Sequence, residues 1–183
     1  TRGKLYTYKI IEFRSRKPNE ELKHIDCGFN SSYAARPAQL ANFIADQIIE
    51  TNKIDKIFSV HLSERVPSDL YTFKAAVIKI VDGDTILAEM DLGFRLWKEH
   101  KLRLRGIDCP EIDIPEGQKA KKFVEDRIKQ CKFIIVKTYK DDKYGRYLAD
   151  IFYQIGEDDP LKVAAEGIFL NQELLDNRLA VKW

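Results

Sequence analysis

The chain has 183 residues, of which 44% are hydrophobic and 33% are charged, and its formal net charge is +2. This length and composition fit one globular domain or slightly more, and the nearly balanced charge excludes a strong overall field that would select a partner. No apolar run approaches the roughly 20 residues needed to cross a bilayer, so membrane association is not expected.

The cysteines, Cys27, Cys109 and Cys131, are odd in number and widely spaced. This pattern argues against a disulfide framework and a structural zinc site, and it favours reduced thiols in the cytoplasm. Because the chain begins at Thr1 and its only methionine is Met90, we expect a processed chain or a fragment. A secreted protein whose signal peptide has been removed is the alternative location.

Residues 1–68 are predicted to form a small α/β segment of open role. Rough alternation of apolar and polar residues over 5–14 predicts a strand, and residues 24–29 are a candidate for another. Pro37 and apolar residues at helical spacing predict an amphipathic helix that ends at about Thr51. Residues 56–62 predict a further strand, and Pro67 with Ser68 marks the boundary to a second domain over residues 69–183.

The second domain is predicted to contain five strands and two helices. Three strands are indicated by residues 73–81, residues 85–92 and the apolar set Leu102, Leu104 and Ile107. A helix over 117–129 follows, then strands over 133–139 and 147–153, then a helical stretch over 163–181. This order predicts an α+β, mainly β fold: a five-stranded oligonucleotide-binding barrel with attached helices, preceded by the α/β segment.

Acidic residues at two strand ends are candidates for a cation site. Asp84 lies in the turn between the first two strands, and Asp108 follows the third, so the two carboxylates could meet across neighbouring strands. Hard cations such as Ca²⁺ take 6 to 8 oxygen ligands in irregular geometry. The backbone carbonyl of Cys109 could add an oxygen, and Asp82 could act through water. Taken alone, Asp82-Gly83-Asp84 is typical of a plain hairpin turn.

Two arginines and one glutamate complete the candidate site. Arg103 and Arg146 offer planar guanidinium groups that match phosphate oxygens, although an isolated arginine on a strand is more often an ordinary surface residue. Glu111 lies three residues after Asp108, where a carboxylate not bound to a metal could accept a proton from an attacking water. Together these residue types suit phosphodiester hydrolysis.

The coincidence of these motifs, in this order, identifies residues 71–183 as resembling the staphylococcal nuclease (thermonuclease) family. The resemblance rests on Val81-Asp82-Gly83-Asp84-Thr85, Leu102-Arg103-Leu104, Ile107-Asp108-Cys109-Pro110-Glu111, Asp142-Lys143-Tyr144-Gly145-Arg146-Tyr147-Leu148-Ala149 and the ending Leu170-Asn171-Gln172-Glu173-Leu174-Leu175. It implies a barrel that uses Ca²⁺ to cleave DNA and RNA, single strands preferred, with little sequence preference.

The same resemblance implies a role for each acidic residue. Asp84 and Asp108 are expected to ligate Ca²⁺, with the backbone carbonyl of Cys109 as a third ligand and Asp82 in the outer shell. Glu111 is expected to act as the general base or to orient the water.

Four further residues are expected to contact the substrate. Arg103 and Arg146 are expected to clamp the scissile phosphate, and Lys143 and Tyr144 to contact the nucleotide's terminal phosphate and base. The expected products carry a 3′-phosphate and a 5′-hydroxyl. A binding module that keeps the barrel without turnover is the alternative function.

The chain departs from the family pattern in its longer second hairpin and its short C-terminal end. Phe94, Trp97 and His100, at or near the hairpin tip, either border the substrate groove or pack against the N-terminal segment. Trp183 or a tyrosine would have to supply a second aromatic surface for stacking. Lysines around the groove are expected to attract phosphate, while those on the helix also form a solvated face: Lys119, Lys121, Lys122, Lys132, Lys137, Lys140 and Lys143.

Overall fold

The computed structural model describes residues 2–14, 21–54, 57–141 and 146–183. The chain divides into two units. The first comprises Gly3–Thr72 and Leu92–Leu96, and the second comprises Arg2, Phe73–Asp91 and Trp97–Trp183. Within the described residues, no helix is long and apolar enough to span a membrane.

The first unit is built on a five-stranded antiparallel sheet of order β3-β2-β1-β4-β5. Its side chains Ile10, Ile25 and Ile49 have no exposed surface and form its core. The elements are β1 (Thr7–Arg14), β2 (Glu21–Gly28), β3 (Ser31–Tyr33), α1 (Pro37–Leu40), β4 (Ile48–Ile54) and β5 (Ile57–Leu62). A single turn of 3-10 helix, Pro67–Asp69, follows β5.

The predicted amphipathic helix over residues 37–51 is wrong beyond its first turn. The helix ends at Leu40, and the backbone of Asp46 takes a positive φ of 66°, which an α-helix cannot contain. Ile48 and Ile49 then begin β4, which pairs with both β1 and β5. β-branched residues such as Ile48 and Ile49 pack well in a sheet. Pairing of β4 between β1 and β5 therefore determines their structure, despite their helical spacing in the sequence. The helical content of this unit is therefore smaller than predicted.

The segment Leu92–Leu96 belongs to the first unit through the ring of Phe94. This ring stacks on Tyr33 at a centroid distance of 4.4 Å and also contacts Tyr8 and Phe58. The Tyr8 hydroxyl donates a hydrogen bond to the carbonyl of Leu92 at 3.0 Å. Of the two expectations for Phe94, packing against the N-terminal segment is confirmed.

The second unit contains a closed five-stranded barrel. Its strands lie in the order β10-β6-β7-β8-β11, and a further pairing of β10 with β11 closes the ring. The barrel strands are β6 (Thr72–Ile80), β7 (Thr85–Asp91), β8 (Trp97–Leu104), β10 (Ile134–Asp141) and β11 (Tyr147–Tyr153). The other elements are β9 (Ile107–Asp108), α2 (Pro115–Ile128), α3 (Pro160–Glu166), β12 (Ile168–Phe169), α4 (Leu170–Asp176) and β13 (Val181–Lys182).

Alternation of side chains accounts for the barrel core. Ile86, Ala88 and Met90 on β7 are fully buried, while the residues between them are partly exposed. Leu102 and Leu104 on β8 are also fully buried and flank Arg103. Successive side chains of a strand point to opposite faces, so β8 directs Leu102 and Leu104 inward and Lys101 and Arg103 outward. The predicted mainly β, oligonucleotide-binding architecture is confirmed.

The terminal stretch predicted as one helix over residues 163–181 is two helices separated by a strand. In α3, the Asp159 side chain accepts a hydrogen bond from the Leu161 amide at 2.9 Å, which caps the helix start. The amide of Gly167 donates to the Val163 carbonyl at 2.9 Å and ends the helix. Strand β12 then pairs with β11 before α4 begins, so pairing at the barrel edge interrupts the helix.

Candidate active site

The turn between β6 and β7 presents two aspartates at one edge of the barrel. The Asp84 amide donates to the Asp82 side chain at 3.0 Å, which fixes the turn locally. A Cβ atom built on Gly83 would lie 2.8 Å from the Cβ of Ala120 and 2.9 Å from that of Cys109. The turn therefore lies so close to α2 that only glycine fits at its centre.

The Asp84 carboxylate is 2% exposed and is held from three directions. Its Oδ2 accepts the Cys109 amide at 2.7 Å, and its Oδ1 accepts the Thr85 hydroxyl at 3.3 Å. The guanidinium of Arg103 forms an ion pair with the same carboxylate. A buried carboxylate needs such partners, because burial without them would favour the neutral acid.

Arg103 joins the two predicted cation ligands. Its guanidinium contacts both Asp84 and Asp108, and it also donates to the Ile107 carbonyl at 3.4 Å. The Arg103 side chain is 13% exposed, whereas the Asp108 side chain is 55% exposed. The structure thus brings together three residues that lie on separate strands or turns in the sequence.

Most of the predicted site lines one open pocket of about 920 Å³. Residues predicted from the sequence supply most of its wall: Asp82, Asp84, Arg103, Asp108, Cys109, Glu111 and Arg146. Lys101, Pro110, Leu148 and Trp183 complete the lining. Lys143 and Tyr144, the remaining two predicted site residues, lie outside the described residues.

The loop that carries Glu111 is packed tightly onto the start of α2. A Cβ atom on Gly117 would lie 1.9 Å from the Glu111 carbonyl oxygen, so this helix position accepts only glycine. The Ile114 amide donates to the same carbonyl at 3.2 Å. The backbone of Glu111 is fixed by these contacts, while its side chain is exposed in the pocket.

Burial raises the pKa of the Cys109 thiol to about 12, despite the opposing effect of the nearby Arg103 charge. The thiol is therefore protonated at neutral pH and is a poor nucleophile. What Cys109 offers the site is its backbone, whose amide already holds Asp84.

The position of Trp183 at the pocket is set by a short strand pairing. Val181 and Lys182 pair with Asp108 and Ile107, and the Trp183 amide donates to the Gly106 carbonyl at 3.2 Å. The tryptophan side chain is 74% exposed.

Lys101 lines the pocket but was not among the predicted site residues. It lies two residues before Arg103 on β8, and residues at this spacing share one face of a strand. The signal that could have identified Lys101 was therefore present in the sequence.

A polar network around the buried Asp150 joins the end of β8 to β11. Arg105 donates to both oxygens of Asp150, at 3.0 and 2.8 Å, and Tyr139 donates to the same carboxylate at 2.9 Å. Asp150 has no exposed surface, and burial together with this carboxylate raises the pKa of Tyr139 to about 12. The Asn171 amide donates to the Arg105 and Ala149 carbonyls, each at 3.0 Å. These bonds hold the parallel pair in which Arg103 lies opposite Leu148.

The fold and the site define a class of protein: a small oligonucleotide-binding barrel with carboxylates and arginines gathered in one open pocket. Comparison with known proteins agrees with this class, since residues 101–183 match the model of the family described as staphylococcal nuclease homologue. Over these residues the chain is similar to the staphylococcal nuclease family.

Several curated proteins are similar to the chain over part of its length. A probable staphylococcal-like nuclease of Oryza sativa subsp. japonica is 34% identical over 80 residues, which cover 44% of this chain and 20% of the relative. An uncharacterized endonuclease of Haemophilus influenzae is 40% identical over 78 residues, covering 43% and 41%. An uncharacterized protein of Methanocaldococcus jannaschii is 40% identical over 101 residues, covering 42% and 46%. The chain spans less than half the length of each of these relatives.

Proposed function

We propose that the second unit is a nuclease that hydrolyses phosphodiester bonds with the help of a Ca²⁺ ion. The observation that carries this proposal is the convergence of Asp84 and Asp108 on Arg103 in a pocket that also contains Glu111 and Arg146. The names of the rice and Haemophilus relatives support nuclease activity. The convergence of Asp84 and Asp108 on Arg103 supports the roles proposed below for the pocket residues.

The donor set fits a hard cation that keeps part of its coordination for water and substrate. One guanidinium contacts both Asp84 and Asp108, so the two carboxylates face a common point. Among residues 2–14, 21–54, 57–141 and 146–183, no three His, Cys, Asp or Glu side chains are grouped to hold a metal ion by themselves. We infer that the backbone carbonyl of Cys109, water and a phosphate oxygen supply the remaining ligands, with Asp82 acting through water. When bound, the ion would polarise the phosphoryl group and offset its negative charge.

The two arginines are proposed to bind the reacting phosphate. A bound cation would balance Asp84 and Asp108 in place of the Arg103 guanidinium, which would then face phosphate oxygens, and Arg146 lines the same pocket. Charge grows on these oxygens in the transition state, so the arginines bind the transition state more tightly than the substrate.

Glu111 is proposed to accept the proton of the attacking water. Its side chain is exposed in the pocket, and its backbone is fixed at the start of α2. The water oxygen forms a bond to phosphorus as the bond to the 5′ oxygen breaks. The leaving oxygen then takes up a proton, which gives a 3′-phosphate and a 5′-hydroxyl.

The proposed substrates are DNA and RNA, with single strands and frayed ends preferred. The pocket is open at the surface, and Trp183 at its rim can stack on a base of any identity. Lys143 and Tyr144 stay proposed contacts to the terminal phosphate and base.

The test is cleavage of single-stranded DNA and RNA in Ca²⁺, in Mg²⁺ and in chelator. We expect rapid cleavage in Ca²⁺ and a loss of at least about 10²-fold in Glu111→Gln and in Asp84→Asn. The exposed Asp176, which accepts a hydrogen bond from Gln172 and does not line the pocket, provides the matched control Asp176→Asn. If the natural protein binds strands but cuts none of them in any metal, the second unit is a binding module instead.

A further inference from the structure

The second unit carries a basic groove that is separate from the pocket containing Asp84, Arg103 and Glu111. We call that pocket the catalytic pocket. The groove lies between β6 and α2 and has a volume of about 700 Å³. We define the lysine groove by its five described lysines: Lys79, Lys121, Lys122, Lys129 and Lys132. Its described lining residues are all different from those of the catalytic pocket.

We propose that the lysine groove binds the phosphate backbone of the substrate strand next to the scissile bond. This inference rests on the proposed nuclease function, because it extends the path of the same substrate. The groove makes the protein favour long strands over short ones, without reading their sequence.

The charge of the groove favours an anion. Among its described residues, the five lysines face Glu125 and Asp126, and Lys132 also pairs with Asp158. Five lysines and three carboxylates leave an excess of two positive charges. The side chains of Lys122 and Lys132 are 73% and 74% exposed, so their ion pairs lie in solvent and stabilise the fold little. Such pairs can be exchanged for contacts with phosphate.

The groove adjoins the catalytic pocket through shared elements. Strand β6 lines the groove up to Ile80, and Asp82 of the pocket follows two residues later. The turn at Gly83 packs on Ala120, and Lys121 is the next residue of α2. A nucleic-acid strand that leaves the catalytic pocket across this turn therefore reaches the lysine groove next.

The size of the groove suits several nucleotides. Lys121 and Lys129 are eight residues apart on α2 or just after it, which corresponds to about 12 Å at about 1.5 Å per residue. This distance is longer than the rise of about 3.4 Å per nucleotide along a strand axis, so the groove can contact more than one phosphate.

The lining of the groove favours contacts to the backbone over stacking on bases. Phe133 is the aromatic residue among the described lining residues, and it is 7% exposed. Its ring is also occupied by the Lys74 ammonium, at 4.7 Å from the ring centroid. Bases therefore find no exposed ring here, while phosphates find the lysines.

The experiment compares Lys79→Gln/Lys129→Gln with the control pair Lys98→Gln/Lys162→Gln, whose lysines are exposed and lie outside both cavities. All proteins are full chains that also carry Glu111→Gln, so that the strand is not cut. Binding of a fluorescein-labelled deoxythymidine strand of about 20 nucleotides is measured by anisotropy over a salt series. We expect the groove variant to bind on the order of tenfold more weakly, with a salt slope smaller by about 1.4, and the control pair to show no reduction in slope.

Equal salt slopes in the groove variant and the control pair would overturn the proposal, since the lysines would then form only a solvated helix face. The proposal is also overturned if polyglutamate competes for the groove as well as a strand of equal charge, because the site would then accept any polyanion.

Failure of the groove and failure of the nuclease are separable. For this purpose the groove variant and the control pair are also prepared with the natural Glu111. Their cleavage of a dinucleotide reports on the catalytic pocket alone. If the dinucleotide is cut and the ratio of kcat/KM for the long strand to that for the dinucleotide is the same in both variants, the groove is refuted. If nothing is cut but binding still depends on the groove lysines, the nuclease is refuted and the groove is supported.

Discussion

The Arg103 guanidinium contacts the carboxylate of Asp84, a side chain that is only 2% exposed. The same guanidinium reaches Asp108, so one cation holds two carboxylates that would otherwise repel each other. These carboxylates are the proposed ligands of Ca²⁺. Arg103 and the metal ion are therefore expected to compete for the same oxygens until a phosphate gives the guanidinium another partner.

Arg103→Gln is predicted to move metal affinity and activity in opposite directions. Without the competing guanidinium, we expect the affinity for Ca²⁺ in the absence of substrate to rise on the order of tenfold. Cleavage should fall by about 10²- to 10³-fold, because a transition-state contact is lost. Calorimetric titration with Ca²⁺ and single-turnover cleavage measure the two effects. Lys98→Gln removes an exposed charge on the same strand and should change neither, while a parallel loss of affinity and activity in Arg103→Gln would contradict the competition.

Gly83→Ala is predicted to lower both stability and activity. The new Cβ would overlap Ala120 and Cys109, so we expect the free energy of unfolding to fall by about 1–3 kcal/mol and Asp84 to be displaced. Gly156→Ala is the matched control, because Gly156 has a positive φ of 77° and open space around it. Its alanine should cost stability through backbone strain alone. Urea unfolding and cleavage should therefore show a stability loss in both variants and an activity loss in Gly83→Ala only.

The candidate site was predictable because its residues lie in short motifs at strand ends. Asp84 lies in the turn after β6, Asp108 is the last residue of β9, and Arg103 lies between two leucines that are fully buried. Each motif taken alone has an ordinary structural explanation, so the common site was inferred from the coincidence of the motifs and from the family resemblance they carry.

The errors arose where long-range pairing decided the structure. Ile48 and Ile49 follow helical spacing in the sequence, but the sheet offers them a place between β1 and β5. Gly167 ends α3, and pairing of β12 with β11 separates the two terminal helices. The network around Asp150 could not be predicted from the sequence either, because its partners are 11 and 45 residues away. In each case the energy comes from residues that a local window does not contain.

Cys27 is predicted to make the stability of the chain depend on pH above about 9. Burial, with a smaller contribution from Asp26, raises the pKa of this thiol from 9.0 to about 12. Between these values the unfolded chain has lost the thiol proton and the folded chain keeps it. The free energy of unfolding should therefore fall as pH rises, by up to about 1.4 kcal/mol per pH unit from this group.

Denaturant unfolding of the natural chain and of Cys27→Val, measured at roughly pH 8, 9, 10 and 11, tests this dependence. Valine has no titratable proton, so its curve should be flatter by the contribution of the thiol, whatever the change in packing. Identical slopes in the two proteins would show that the buried thiol does not resist ionisation.

Trp183→Ala is predicted to weaken substrate binding more than it slows the chemical step. The tryptophan lies at the rim of the pocket, is 74% exposed and contacts no reacting group in the proposed mechanism. Stacking on a base contributes about 1–3 kcal/mol, so KM for a single strand should rise by roughly 5- to 150-fold while kcat changes little. Trp183→Phe keeps an aromatic face and should retain most of the affinity.

The matched control for this effect is Trp97→Ala. Trp97 is 54% exposed and begins β8, but it is not among the described residues that line the pocket. Loss of its side chain should leave KM within about twofold of the natural value. Equal increases of KM in Trp97→Ala and Trp183→Ala would point to a general loss of stability. An increase confined to Trp183→Ala, with rescue by phenylalanine, would support the rim of the pocket as the place where a base stacks.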